Sequence, residues 1–441
     1  MLASSLLPSL LLLSAPTLAN PVDPILVPRS PVTLSLSRRL NLNATSAHAL
    51  VEHDLARARM FKTGNSHPQA DACGAGRRGL LGTNQRITNQ AVSYVASVGV
   101  GSPSTTYQLL VDTGSSNTWV GGNKHYVPTK TSHNTSNSVV GPYYMSPFHV
   151  PFSEDIDRAS HMAQEASQVG YEITDQVSLG HGLTIRNQSI GVATSSAGLG
   201  DLDGILGIGP ADLTEGTLSL SPSSTIPTVT DNLYEQHSIF AYEIGISFEP
   251  TSTTPNENGE ITWGGTNLLK HTQPITYIPI TTTAPAKFYW GIDQSIRYGT
   301  ATNILSSTAG IVDTGTTLIV LATDAFNKYQ EATGSTFDEN VGLLSLPNSQ
   351  YSTLKSLYFT AGGMAFELTP NAQIWPRALN SDIGGTADKI YLIVGDLKSP
   401  SGEGLDFING LTFLERFYSV YDSGNRRVGL AATPWTRKEV N

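Results

Sequence analysis

The chain has 441 residues, of which 14% are charged, and a formal net charge of −10. That length predicts more than one domain, and an acidic body with scattered bases excludes the basic patch of a nucleic-acid binder. The only cysteine is Cys73, so no intrachain disulfide can form.

The first 19 residues, MLASSLLPSLLLLSAPTLA, combine an apolar run with small residues at Thr17 and Ala19. They predict a cleaved secretory signal and hence a secreted, extracellular protein, with a vacuolar destination as the alternative. Pro8 and Pro16 interrupt a run already short of the roughly 20 residues a membrane span needs. The polar terminus TPWTRKEVN predicts no membrane anchor. Sequons at Asn43, Asn134 and Asn187 are glycosylation candidates in keeping with that route.

Residues 20–85 hold eight bases, among them Arg38, Arg39, Arg57 and Lys62, against four acids. A basic stretch ahead of an acidic body predicts a pro-segment held on by charge, the chain's own intramolecular inhibitor. Acid would loosen it by protonating carboxylates on the body. Arg77-Arg78, in ACGAGRRGLLG, is a candidate processing site. The other reading of the segment is a basic tail without a regulatory role.

Beyond residue 86, short runs of Val, Ile and Thr between turn residues predict an all-β (mainly β) fold. LLVDTGSSNTWV at 109–120 and GIVDTGTTLIVL at 310–321 repeat the same pattern. Each is followed by an apolar pair and a glycine, Gly207 and Gly410, at separations of 95 (207 − 112) and 97 (410 − 313). The repeat predicts two related lobes, over 86–270 and 271–441. Apolar residues before each Asp read as a buried strand, and Thr-Gly-Ser/Thr as the tight turn leaving it. Gly114 and Gly315 allow close backbone approach, while Ser115 and Thr316 can hydrogen-bond a carboxylate. If the lobes pack about a pseudo-dyad, Asp112 and Asp313 meet and share a proton. One then serves as base toward a water, while the other polarises an amide carbonyl. No H-E-x-x-H motif is present, and no two of the ten histidines stand three or four apart, so neither metal nor other cofactor is expected.

With these motifs stand YVASVGVGSPSTTYQ, DGILGIGP, YWGIDQSIRYG, NAQIWPR and GEGLDFINGLTFLERFYSVYD. Over nearly all of residues 88 to 433 the chain resembles the pepsin family of aspartic endopeptidases, closest to its secreted basidiomycete branch. The resemblance implies a bilobal fold with a central cleft, a monomer acting on polypeptide substrates at acid pH, and Asp112 and Asp313 as the catalytic pair. It implies that Thr113, Gly114, Ser115, Thr314, Gly315 and Thr316 support the pair. It also implies that Leu110, Trp119, Ile205, Tyr289, Ile311 and Ile408 line substrate pockets, although apolar residues beside a buried strand are equally expected as core.

The family pattern breaks at one place. A β-hairpin flap carrying Tyr-Gly-Ser/Thr-Gly is expected between the first D-T-G and DGILG, yet residues 142–169 contain no glycine. Tight hairpin tips need residues tolerant of positive φ. SEDIDRASHMAQEASQ instead offers Ser153 as a helix cap with Glu154 and Asp155 behind it. Three readings stand: a retained intron in the gene model, a true insertion in an active enzyme, or a lesion that leaves an impaired peptide-binding homologue.

Overall fold

Alternating apolar and polar residues build a strand with one wet face, and a strand covered on both faces is apolar throughout. Thr105–Asp112 shows both habits: its start alternates, whereas Leu109, Leu110, Val111 and Asp112 are all buried. The computed structural model describes residues 30–40, 47–63, 92–139, 170–194, 201–252 and 256–441. Among these, a thirteen-stranded sheet holds Thr105–Asp112, and a seven-stranded sheet forms the heart of the C-terminal half. The mainly β, bilobal fold expected from the sequence is the fold observed.

The repeat is visible strand by strand. Thr105–Asp112 runs parallel to Gly204–Gly207, with Asp112 opposite Gly207. In the second lobe, Thr302–Val312 runs parallel to Phe407–Asn409, with Val312 opposite Asn409. Each pair is then flanked by an antiparallel strand, Trp119–Val120 in the first lobe and Ile319–Leu321 in the second. The two downstream glycines are needed for close approach. A Cβ at Gly207 would fall 2.6 Å from the Ser116 carbonyl carbon, and one at Gly410 would fall 2.6 Å from Thr316 O. Only a residue without a side chain lets the motif turn pass over its partner strand.

The large sheet runs across the expected 270/271 boundary. Thr276–Pro279, Phe417–Asp422 and Arg427–Ala432 join it, and Phe417–Asp422 pairs with Glu243–Ser247. All six residues of Phe417–Asp422 are buried, which accounts for a run with little alternation.

The basic N-terminal segment carries more structure than its charge suggested. Val32–Leu40 lies inside the large sheet, antiparallel to Asn256–Trp263 on one side and to Val92–Val100 on the other. The helix Ala47–Thr63 follows, burying Leu50, Asp54, Arg57, Ala58 and Phe61 along one stripe at helical spacing. No helix among the described residues is long and apolar enough to cross a membrane.

Residues 141–169, where the family pattern breaks, lie outside the described residues, as do the expected signal, Asn43, Cys73 and Arg77-Arg78. The flanks of that segment are described: His133–Val139 and Gly170–Gly180 pair antiparallel, with Val139 opposite Gly170.

Candidate active site

Both D-T-G turns meet at the centre of the molecule, where the lobes clasp one another through their threonines. Thr113 N donates to Thr314 Oγ1 at 3.0 Å and Thr314 N donates to Thr113 Oγ1 at 2.9 Å. The hydroxyls pass the connection on, Thr314 Oγ1 to Val111 O at 2.9 Å and Thr113 Oγ1 to Val312 O at 3.4 Å. This exchange fixes the two turns with both Asp side chains facing the same space. Thr314→Val removes the acceptor for a buried N–H, so stability is expected to fall by about 1–3 kcal/mol. Urea unfolding measures it, and a loss below about 0.5 kcal/mol would show that the clasp contributes little.

The carboxylates are held alike. Gly114 N donates to Asp112 Oδ1 at 3.0 Å, and Gly315 N to Asp313 Oδ1 at 3.1 Å. Ser115 Oγ donates to Asp112 Oδ2, and Thr316 Oγ1 to Asp313 Oδ2 at 2.5 Å. Both Asp residues are fully buried. The expected supporting residues thus stand around the expected pair, arranged with near two-fold symmetry.

Between the carboxylates sits Arg57, a residue the sequence reading had counted only as one of eight bases. Its Nη2 donates to Asp112 Oδ1 and, at 2.8 Å, to Asp313 Oδ1. Its Nε donates to Asp313 Oδ2 at 2.5 Å, and its Nη1 to Asp112 Oδ2 at 3.3 Å. Burial opposes the guanidinium's charge, but the two facing carboxylates more than offset this and raise its pKa. For Asp112, burial pushes the carboxyl above its ordinary value, Arg57 opposes the rise, and the charge of Asp313 adds to it. Burial acts on Asp313 in the same direction. There, however, the charge and hydrogen bonds of Arg57, with Thr316 and Gly315, prevail and hold the carboxyl below its ordinary value. One cation thus serves two acids.

The same helix is fastened on both sides of Arg57. Asp54 accepts from Thr317 N at 3.0 Å and Leu318 N at 2.8 Å, capping the chain just beyond the second D-T-G. Phe61 packs edge-on against Tyr289, ring centroids 4.8 Å apart. Farther out, Arg38 Nε lies 2.8 Å from Glu415 Oε1, and Arg39 Nη1 lies 2.9 Å from Asp201 Oδ2.

Asp54 and Phe61 were also missed from sequence. A usable signal was present, since residues 47, 50, 54, 57, 58 and 61 form one helical stripe, but charged side chains interrupt its apolar pattern. The six expected pocket residues are all buried. Leu110, Trp119 and Ile205 form part of a separate small cluster, while Tyr289, Ile311 and Ile408 belong to the main core. Asn134 and Asn187 are exposed.

Paired carboxylates at the seam of two clasped β lobes define a class, and comparison with known proteins agrees with it. The eukaryotic aspartyl protease family model matches residues 93–433, so the chain belongs to that family and is an aspartic endopeptidase. It is 58% identical over 354 residues to polyporopepsin of Irpex lacteus, covering 80% of this chain and 98% of that one. It is 28% identical over 360 residues to cathepsin E of Rattus norvegicus, covering 79% and 82% respectively. The crystal structure of the aspartic proteinase from Irpex lacteus matches with a TM-score of 0.72 at 57% identity, covering 79% of this chain and 96% of that one.

Proposed function

We propose that the chain is the secreted zymogen of an acid endopeptidase whose catalytic pair is Asp112 and Asp313, with residues 20–85 as its inhibitory pro-segment. The observation that carries this reading is Arg57, fully buried and bonded to both carboxylates. A guanidinium there fills the space a water and a scissile carbonyl need, so the closed form cannot hydrolyse a peptide.

Once the helix leaves, two close carboxylates without a cation cannot both stay ionised, and the pair takes up a proton. The ionised partner removes a proton from water as its oxygen attacks the carbonyl carbon. The protonated partner hands its proton to the carbonyl oxygen, forming a neutral gem-diol. Collapse of that intermediate breaks the C–N bond as the amine nitrogen is protonated, and the shared proton is restored. Ser115 and Thr316 keep the outer oxygens oriented throughout. Leu110, Trp119, Ile205, Tyr289, Ile311 and Ile408 are proposed as walls of the opened cleft, each close in sequence or space to the two turns.

Opening is coupled to pH with a definite sign. In the closed form burial keeps Asp112 above its ordinary value while Arg57 holds Asp313 below its own, so it is at Asp313 that closing releases a proton. The closed form is therefore favoured as pH rises and lost as pH falls through the lowered Asp313 value. We expect the full chain to be inert toward peptides near pH 7 and to become active after incubation at about pH 3. Equal activity with and without the acid step would refute self-inhibition. Replacement of the flap sequence favours one rival reading, an impaired homologue. A transition-state-mimicking inhibitor that binds acid-treated protein showing no peptide cleavage would select it.

A further inference from the structure

The helix that carries Arg57 ends on another ion pair. Lys62 Nζ donates to Glu403 Oε2 at 2.6 Å and to Ser399 Oγ at 2.5 Å. These two acceptors lie on a loop fixed from behind. Buried Asp406 accepts from Gly402 N at 2.7 Å, Glu403 N at 3.2 Å and Thr308 Oγ1 at 2.6 Å. Asp324 accepts from Ser401 N and Ser401 Oγ, each at 2.9 Å, and Thr323 N donates to Ser399 O at 2.9 Å. The loop's own cation, Lys398, is turned to Asp396 at 3.0 Å. The contacts that order Glu403 and Ser399 thus come from the body of the enzyme and remain when Lys62 departs.

We propose that Ser399 and Glu403 form a specificity subsite for a lysine or arginine side chain of the substrate, which Lys62 occupies in the closed form. This rests on the reading of the chain as an endopeptidase whose N-terminal helix vacates the cleft. Arg57 and Lys62 are five residues apart, a rise of about 7.5 Å along a helix. An extended peptide covers that span in about two or three residues. Phe61, beside Lys62, leaves an apolar place against Tyr289. The favoured substrate therefore places a basic residue about two to four positions from the scissile bond, next to an apolar one.

The test uses acid-processed full chain assayed at about pH 5.5, above the ordinary carboxylate range. Peptide pairs differ only in lysine or glutamine at each of these positions, on either side of the bond. At one position lysine is expected to raise kcat/KM about fivefold, mainly through KM, the size of a well-formed surface ion pair. Glu403→Gln should abolish the preference, bringing the lysine and glutamine peptides to the same kcat/KM, and Glu403→Lys should shift it toward a glutamate peptide. Ser399→Ala, a smaller change, should reduce it partway. A preference that survives in Glu403→Gln, or none in the parent while the glutamine peptide is still cleaved, overturns the subsite and leaves the endopeptidase reading standing. No cleavage of any peptide by the parent overturns both.

Discussion

Asp313→Asn is expected to leave a folded protein whose acid-treated form cleaves peptides at least about 10³-fold more slowly than the parent, and Asp112→Asn should do the same. Positioned acid–base groups contribute roughly 10²–10⁴-fold, and here one group must act as base while its partner holds the proton. An amide keeps the shape: its oxygen can accept from Gly315 N, and its NH2 can donate to Thr316 Oγ1 once that hydroxyl rotates, so the turn has little reason to rearrange. It cannot take a proton from water, and it ends the sharing that lets its partner ionise. The measurement is a steady-state rate on one peptide, with a thermal melt on the same sample to establish folding. A folded Asp313→Asn protein that retains a tenth of the parent's rate would remove this residue from the reaction.

Arg57→Met should have the second largest effect, with the opposite sign on activity. In the closed form it leaves two buried carboxylates facing each other with no cation between them. Breaking a buried ion pair from one side costs about 3–5 kcal/mol, because the stranded charge stays out of water. The closed form can escape that cost by releasing the helix. The full chain should then cleave a peptide at about pH 5.5 with no acid step, at a rate at least about tenfold above the untreated parent. Arg57→Lys should fall between the two, since a lysine keeps the charge but not the planar fork that reaches four carboxylate oxygens. If Arg57→Met remains as inert as the untreated parent while the acid-treated parent is active, Arg57 does not hold the cleft shut.

Both predictions depend on residues of very different legibility. Asp112 and Asp313 announce themselves, because each stands in a motif whose local chemistry is complete within three residues. The buried strand, the glycine turn and the hydroxyl two positions beyond the Thr all sit beside the Asp. Duplication makes the signal stronger, and Gly207 and Gly410 repeat at matched distances because each must lie under the turn it serves. Arg57 has no such neighbourhood. Its partners lie 55 and 256 residues away, and nothing in ARARMFKT distinguishes it from Arg59 two positions later. The helix decides between them, since a step of two residues turns a side chain to another face.

Asp54 was hidden for a related reason. An acid in a basic segment reads as a solvated charge, and only the fold sets it against the unpaired N–H groups of Thr317 and Leu318. Val32–Leu40 alternates as a strand should, but its place between Asn256–Trp263 and Val92–Val100 required distant parts of the chain to be brought together. The sequence by itself therefore determined the class of fold, the two lobes and the paired carboxylates, since those follow from local patterns written twice. Tertiary structure alone decided which base lies between the carboxylates and what else holds its helix there. Those choices are made by charges and donors that become neighbours only when the lobes fold around the segment that covers them.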